Sequence, residues 1–379
     1  MNGYSDRHWR AMKGVLIGAG YFAQFQIDAW KRIEARLASE GLVPSRPEQG
    51  SAGNQPAGKQ QAGPALLAAV ADVAPGKAAA FAARHGIPRA YDSVEAMLDE
   101  ERPDFVDIAT RPESHPALTR LAAGRGLHVI CQKPMAPILA DGIAMCEACE
   151  SAGVRLLIHE NWRWQPWHRE ARRLLAWGEL GALRHASFDW RTGDGTGSEP
   201  YAVQPYFRRM PRLLVYESLV HILDTFRCLG GELRVTACKT RRVNPIIAGE
   251  DWAEIRVAFD GGATGFIHGD RHTGAVPAPV AMGELRLQGA ASTLRVAGDG
   301  HMFLSRPGAA EERLPFTPPG TGYKGDSVLA TQSHLLECLA TGAPCESEGR
   351  EYLKTVALVE DCYRLAAASR APGIDPEGP

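Results

Sequence analysis

Eleven residues near the amino terminus, GVLIGAGYFAQ, constrain what this chain can fold into more than any other segment. Their short apolar run predicts a buried strand, and Gly18, Gly20 and Ala23 follow it as G-x-G-x-x-A, directly before the amphipathic run QFQIDAWKRI. Each small residue has its own reason. Gly18 permits a tight turn, Gly20 lets backbone amides approach a pyrophosphate, and Ala23 lets strand and helix pack closely. The helix amino terminus then faces the anion with the positive end of its dipole. Strand, turn and helix in this order open a βαβ series and predict a parallel, dinucleotide-binding sheet.

The series continues from Lys13 to about Ile158. Strands are expected at GVLIGAG, LLAAVAD, FVDIAT, HVICQKP and VRLLIHE, five in all, with helical spacing over 77–85, 94–101, 115–124 and 140–152. Between Ile33 and Leu66 the rhythm breaks in a stretch rich in Gly, Pro, Gln and Ser, so an inserted surface loop is expected over 35–65. After about residue 180 the pattern becomes HASFDWRTG, LRVTACKT, AEIRVAFDGGATGFIHGD and ELRLQGAASTLRVAGDGHMFLS, which predicts meandering, largely antiparallel pairing. Helices are expected near 213–229, from 327 through 340 and over 351–370. The fold class is therefore α/β: a doubly wound Rossmann domain over 1–158, then an α+β domain with a large, mostly antiparallel open sheet over 159–379. A length of 379 residues suits two such domains.

Composition narrows the function classes. Formal net charge is -2 with both signs spread along the chain, which excludes the basic footprint of a nucleic-acid binder. No apolar run approaches the roughly 18–20 residues that span a bilayer, and the first residues lack a signal core, so a cytoplasmic protein without a membrane partner is expected. The 8 cysteines read as reduced thiols. Cys146 and Cys149 form a CxxC, but no second pair and no histidines at zinc spacing follow, so no metal is expected.

A carboxylate at the end of the second strand accepts hydrogen bonds from an adenosine ribose in such folds, and Asp72 stands there. Its charge would repel a 2′-phosphate, which favours NAD over NADP; capping of the helix that follows Pro75 is its other reading. The fourth strand runs into CQKPMAP, which puts Lys133 at the carboxyl end of a parallel strand, where open α/β sheets place ligands.

Together GAGYFA, Asp72, TRPESH and QKPMAP resemble the glucose-fructose oxidoreductase/inositol dehydrogenase/rhizopine-catabolism (Gfo/Idh/MocA) family. The resemblance implies cofactor contacts from Gly18, Gly20, Tyr21, Phe22, Ala23, Asp72, Thr110, His115, Gln132 and Lys133. Relatives usually carry Glu-Lys-Pro where this chain has Gln132, so the charge beside Lys133 is absent. VYESLVHILD is similar to the family's Asp-x-x-x-His helix, with Glu217 in the Asp position and His221 in the His position. Four residues make about one helical turn and put both on one face. Lys133, His221 and Glu217 are the catalytic candidates: His221 as acid and base, Lys133 polarising the same substrate oxygen, Glu217 orienting either. Asp224, one turn on, either holds His221 or only caps local contacts.

HENWRWQPWHRE is a candidate substrate wall, with Asn161 and Arg163 as its polar contacts and aromatic packing as the alternative. QPYFRRMPRLL adds Tyr206, Arg208, Arg209 and Arg212; forked guanidinium groups suit a carboxylate such as that of a sugar acid, with solvated helix-start arginines or a subunit contact as the other readings. The expected substrate contacts are thus Lys133, Asn161, Arg163, Tyr206, Arg208 and His221. The activity implied is hydride transfer between NAD and a hydroxyl/carbonyl of a sugar, polyol, sugar acid or inositol, with a lean toward the subgroup that oxidises branched or acyclic aldoses such as apiose. An NAD-dependent glycosidase and a non-catalytic NAD-binding regulator are the alternatives, and a homo-oligomer is expected.

Overall fold

In the computed structural model the described residues are 12–41, 66–274 and 279–369. They divide into two compact units, residues up to His159 with Val328–Tyr352, and Glu160–Ser327 with residues from Leu353 onward.

The first unit alternates β1 (Gly14–Ile17), α1 (Ala23–Ser39), β2 (Leu67–Ala71), α2 (Lys77–His85), β3 (Arg89–Tyr91), α3 (Val94–Glu101), β4 (Phe105–Ile108), α4 (His115–Ala123), β5 (His128–Gln132), α5 (Leu139–Ser151) and β6 (Leu156–His159). The strand order is β3-β2-β1-β4-β5-β6, and every neighbouring pair is parallel. This is the doubly wound order, with its crossover beside β1. Strands β1, β2, β4 and β6 are buried throughout, as continuous apolar runs require in a sheet covered on both faces. The sheet has six strands rather than the expected five. The additional one, β3, is a three-residue edge strand, Arg-Ala-Tyr, without an apolar run to reveal it. The loop expected over 35–65 also needs correction at its start: α1 continues to Ser39 because Leu37 extends the buried stripe of Ile27, Trp30 and Ile33. The rest of that segment, 42–65, lies outside the described residues.

The second unit holds α6 (Pro166–Ala176), β7 (Leu183–Arg191), a π-helical turn Leu214–Leu219, α7 (Val220–Gly230) and seven further strands: β8 (Leu233–Arg241), β9 (Trp252–Phe259), β10 (Thr264–Asp270), β11 (Gly283–Gly289), β12 (Thr293–Val296), β13 (Met302–Ser305) and β14 (Glu312–Arg313). They form one sheet in the order β14-β13-β12-β11-β7-β10-β9-β8. Pairing is antiparallel except between β7 and β10. Alternating burial along β9, for instance, leaves one face buried against the helices, the period-2 signature of such a sheet.

Two helices close the chain, α8 (Ser327–Thr341) and α9 (Gly349–Ala368). Residues 328–352 belong to the first unit, although the sequence placed all of 159–379 in the second domain. The physical reason lies in α8. Leu335, Leu336, Cys338 and Leu339 join the core built by Leu16, Trp30 and Phe105. Replacing fully buried Leu335 with Ala would cost about 2–5 kcal/mol. A polar anchor adds direction: Asp107 of β4 accepts hydrogen bonds from Trp30 Nε1 at 2.7 Å, Gln26 Nε2 at 3.0 Å and Gln332 Nε2 at 3.2 Å. Burial pushes the Asp107 carboxyl up to about 7 against those three donors.

Candidate active site

The glycine-rich turn has the geometry expected of a nucleotide cradle. Gly18 has φ +104°, and a Cβ there would meet Ala109 O at 2.8 Å, so the fold itself requires glycine. At Gly20 an added Cβ would meet only Ala109 O, at 3.9 Å, which is ordinary contact. Nothing among the described residues requires glycine there, whereas a closely approaching ligand would. Ala23 opens α1, no side chain caps that end, and no acidic residue occupies its first turn, so its dipole favours an anion. Tyr21 is exposed, and Phe22 packs edge-on against Phe25 and His159.

Asp72 serves the turn from the end of β2. Its Oδ2 accepts the Ala19 N–H at 2.9 Å and pairs with Lys77 Nζ at 2.8 Å, while its Oδ1 accepts the Ala74 N–H at 3.0 Å. Burial opposes its ionisation, but Lys77 and the two amides outweigh it and hold the carboxyl below its ordinary range. Asp72 does not cap α2, whose N-cap is Gly76 without a side-chain bond; it braces the loop before that helix, and its carboxylate lies beside the glycine turn.

Four expected cofactor residues lie around the ends of β4 and β5. Thr110 Oγ1 is 2.7 Å from Ser114 Oγ. His115 is fully buried, with Nδ1 facing Met135 O at 3.2 Å and Nε2 facing Thr110 O at 3.1 Å. Both carbonyls can only accept and a neutral ring carries one N–H, so His115 donates to one of the two loops; burial lowers its basicity. Gln132 likewise acts inward. Its Oε1 accepts the Lys133 N–H at 2.7 Å and its Nε2 lies 3.5 Å from His159 Nδ1. Lys133, half-buried, precedes a cis peptide to Pro134.

In the second unit His221 sits on α7 with Nδ1 2.5 Å from Glu160 Oε1, and the same oxygen accepts the Trp162 N–H at 2.9 Å. Glu160 is fully buried and His221 is 5% exposed. A carboxylate can only accept, so Nδ1 carries the hydrogen and Nε2 is the basic nitrogen. Trp162 stacks on the imidazole at a centroid distance of 5.0 Å and on Trp190 of β7 at 4.7 Å. The carboxylate that holds His221 was not singled out from sequence. Its one signal was position, directly after the last parallel strand, where such sheets gather functional groups.

Several expected roles change accordingly. Glu217 lies in the π-helical turn, so its four-residue spacing from His221 does not follow α-helical register; Ser218 Oγ donates to its Oε2 at 3.0 Å, and burial opposes the charge of Arg271, which Asp194 chiefly and Glu217 to a lesser degree sustain. Arg163, expected at the substrate, forms a buried fork on Asp224, with Nε–Oδ2 at 2.8 Å and Nη2–Oδ1 at 2.6 Å. Burial opposes the Arg163 charge, but Asp224 outweighs it and raises the guanidinium further. Asp224 also accepts from Thr355 Oγ1 at 3.1 Å, so it anchors Arg163 and α9. Asn161 donates to Ser327 Oγ at 2.8 Å, and its buried Oδ1 has no hydrogen-bond partner among the described residues. Trp162 and Trp167 are buried packing residues, not an open aromatic wall.

The arginine cluster is largely neutralised. Arg208 pairs with Glu199 at 2.6 Å and donates to Pro200 O at 2.7 Å, and Arg212 pairs with Glu360 at 3.0 Å while its guanidinium covers the Tyr363 ring. Tyr206 is exposed and its hydroxyl donates to Gln204 Oε1 at 2.8 Å. These partners count against a carboxylate site built from Arg208 and Arg212.

Comparison with known proteins agrees with this architecture. Residues 12–160 match the model of the oxidoreductase family with an NAD-binding Rossmann fold (GFO/IDH/MocA), and residues 168–295 match the GFO/IDH/MocA C-terminal domain. The chain is 33% identical to a D-apiose dehydrogenase from Paraburkholderia graminis, over 95% of this chain and 89% of that protein. It is 31% identical to a D-apiose dehydrogenase from Rhizobium rhizogenes, over 96% and 97%. An oxidoreductase from Agrobacterium radiobacter, solved in complex with NAD+, L-tartaric acid and magnesium, superposes with a TM-score of 0.80 at 30% identity, covering 95% of this chain and 98% of that one. Among the described residues no helix is long and apolar enough to cross a membrane. With both domain models matched in order and relatives aligned over nearly the whole length, the chain belongs to the GFO/IDH/MocA family and is an oxidoreductase that uses NAD.

Proposed function

We propose that this protein is a dehydrogenase that oxidises a CH–OH group of an aldose-like sugar, with His221 as the general base and Lys133 as the group that binds and polarises the reacting oxygen. The observation that carries the reading is the buried Glu160–His221 pair, which fixes the ring so that Nε2 is the proton acceptor. Two relatives named D-apiose dehydrogenase, each aligned over most of its length, support a neutral sugar. So does the pairing of Arg208 and Arg212 with Glu199 and Glu360, which leaves an acidic substrate without its expected receptor.

Gly18, Gly20 and the amino terminus of α1 would hold the pyrophosphate of NAD, and Asp72 its adenosine ribose, where a 2′-phosphate would meet carboxylate charge. NAD, when bound, supplies the hydride acceptor. His221 then takes the hydroxyl proton on Nε2, and the buried Glu160 carboxylate favours the imidazolium that results. Lys133, as an ammonium, donates to the same oxygen and favours its deprotonation. A cytoplasmic setting suits the thiols, all 8 of which are free.

The test is a screen of D-apiose, other aldoses, polyols and sugar acids with NAD and with NADP, followed by the nicotinamide absorbance. Reduction of NAD by an aldose is expected. Reduction only by sugar acids would overturn the substrate class, and no turnover with any member would overturn the reading as a dehydrogenase.

A further inference from the structure

We propose a second site, remote in sequence from the residues above, in which His334, Cys338 and Cys345 bind one thiophilic divalent cation of the zinc type. Sequence spacing does not reveal this set, as it does the CxxC of Cys146 and Cys149, because its ligands are brought together by a helix end and the loop behind it. His334 and Cys338 are four residues apart on α8 and so share a face. The helix stops at Gly342, whose φ of +70° reverses the chain while its N–H donates to Cys338 O at 3.0 Å. Three residues later Cys345 returns to the same face, and one ligand atom from each of the three residues lies within 4.8 Å of the others.

That spacing is close to what a cation needs. Zinc–sulfur bonds of about 2.3 Å and zinc–nitrogen bonds of about 2.0 Å at a tetrahedral angle put ligand atoms roughly 3.5–3.8 Å apart. Cys338 Sγ is already 3.5 Å from His334 Nε2, so side-chain adjustments of about an ångström complete the set. The imidazole is in the right state. The Glu346 N–H donates to Nε2 at 3.1 Å, and a backbone N–H can only donate, so Nε2 holds a lone pair beside the Cys338 sulfur. A cation would take that lone pair in place of the amide. Two thiols and an imidazole are the donors that divalent zinc prefers over magnesium or calcium. Both cysteines are buried and His334 is half-buried, which leaves the imidazole side as the route for the ion and for a fourth, solvent ligand.

The site would act as a clamp. The loop carrying Cys345 is paired to β6: Ile158 N–H donates to Ser347 O at 2.8 Å, Ser347 Oγ donates to Ile158 O at 2.7 Å, and Arg155 forks onto Glu348. A bound ion would fix that loop to the last turn of α8 and so hold the strand from whose end Glu160 follows.

The full-length protein, reduced with a thiol-free phosphine and stripped with a chelator, is titrated with Co2+ and then Zn2+. One Co2+ per chain with a sulfur-to-cobalt charge-transfer band is expected, together with displacement by Zn2+ and a rise in Tm. C338S and C345S should abolish the band and the Tm rise, H334A should weaken binding about tenfold or more, and C146S should change neither. Absence of the band in the unsubstituted protein, or its survival in both C338S and C345S, overturns the site. Should a variant fail to fold, the unsubstituted protein still decides: Zn2+ must protect Cys338 and Cys345 from alkylation, read by peptide mass spectrometry. Lack of protection, or a Cys338–Cys345 disulfide that Zn2+ does not prevent, overturns it equally.

Discussion

The first unit offers a nucleotide mainly backbone, through the Gly18–Gly20 turn and the first turn of α1, whereas the second unit arranges side chains, Glu160 and Trp162 around His221. The difference decides what each region tolerates. A backbone cradle depends on residues that are small, and almost any added atom disturbs it. A side-chain relay depends on identity and protonation, and an isosteric change that preserves every van der Waals contact can still disable it. The two regions therefore predict opposite patterns of sensitivity, and substitutions can set them against each other.

The largest effect belongs to the relay. His221→Ala should lower kcat by about 10²–10⁴-fold, the range for loss of a general acid–base group, with binding of NAD measured by fluorescence little changed. A loss smaller than about tenfold would remove the base from the proposed reaction. Glu160→Gln keeps the shape but not the charge, and should lower kcat by about 10–100-fold with KM for the sugar nearly constant. Equal losses in kcat and in Tm would instead make the pair a structural contact and break the distinction between the two regions.

The same distinction explains what the sequence could disclose. The parallel strands were legible because each is a continuous apolar run, and the glycine turn because its residues are adjacent and their smallness is their function. Edge strand β3 was not, since three residues with an arginine at their head carry no periodicity. The Glu160–His221 bond joins residues 61 apart, and no spacing rule connects them; only the fold does. Arg163 and the arginines near residue 210 misled in the other direction, because a guanidinium available to a substrate and one committed to Asp224, Glu199 or Glu360 look alike until the partner is known. The π-helical turn at Leu214–Leu219 hid the register of Glu217 for a similar reason: its extra residue leaves the apolar pattern nearly intact while shifting what faces what.

Asp72 is a side chain that bonds the backbone cradle, through the Ala19 N–H, and it sharpens the comparison. Asp72→Ala should reduce the preference for NAD over NADP by about tenfold, near 1.4 kcal/mol, read as the ratio of kcat/KM for the two cofactors. It should also free Lys77, whose ammonium now pairs with the carboxylate at 2.8 Å, to attract a 2′-phosphate. An unchanged ratio would assign Asp72 to bracing of the loop alone.

The smallest effect is the most discriminating, because it separates two glycines in one turn. At Gly18 the fold fixes φ at +104° and places Ala109 O 2.8 Å from an added Cβ, so Gly18→Ala should destabilise the protein by about 1–3 kcal/mol whether or not NAD is present. At Gly20 the backbone is ordinary and the added Cβ clears its nearest neighbour at 3.9 Å, so Gly20→Ala should leave the Tm of the cofactor-free protein unchanged. Its cost should appear only when NAD is added, as a KM raised about fivefold, near 1 kcal/mol. Two outcomes would contradict this. If Gly20→Ala lowered the cofactor-free Tm, the glycine would be serving the fold and the cradle argument would lose its main support. If it changed neither Tm nor KM, no ligand backbone comes close to that position, and the pyrophosphate must be held elsewhere along the turn.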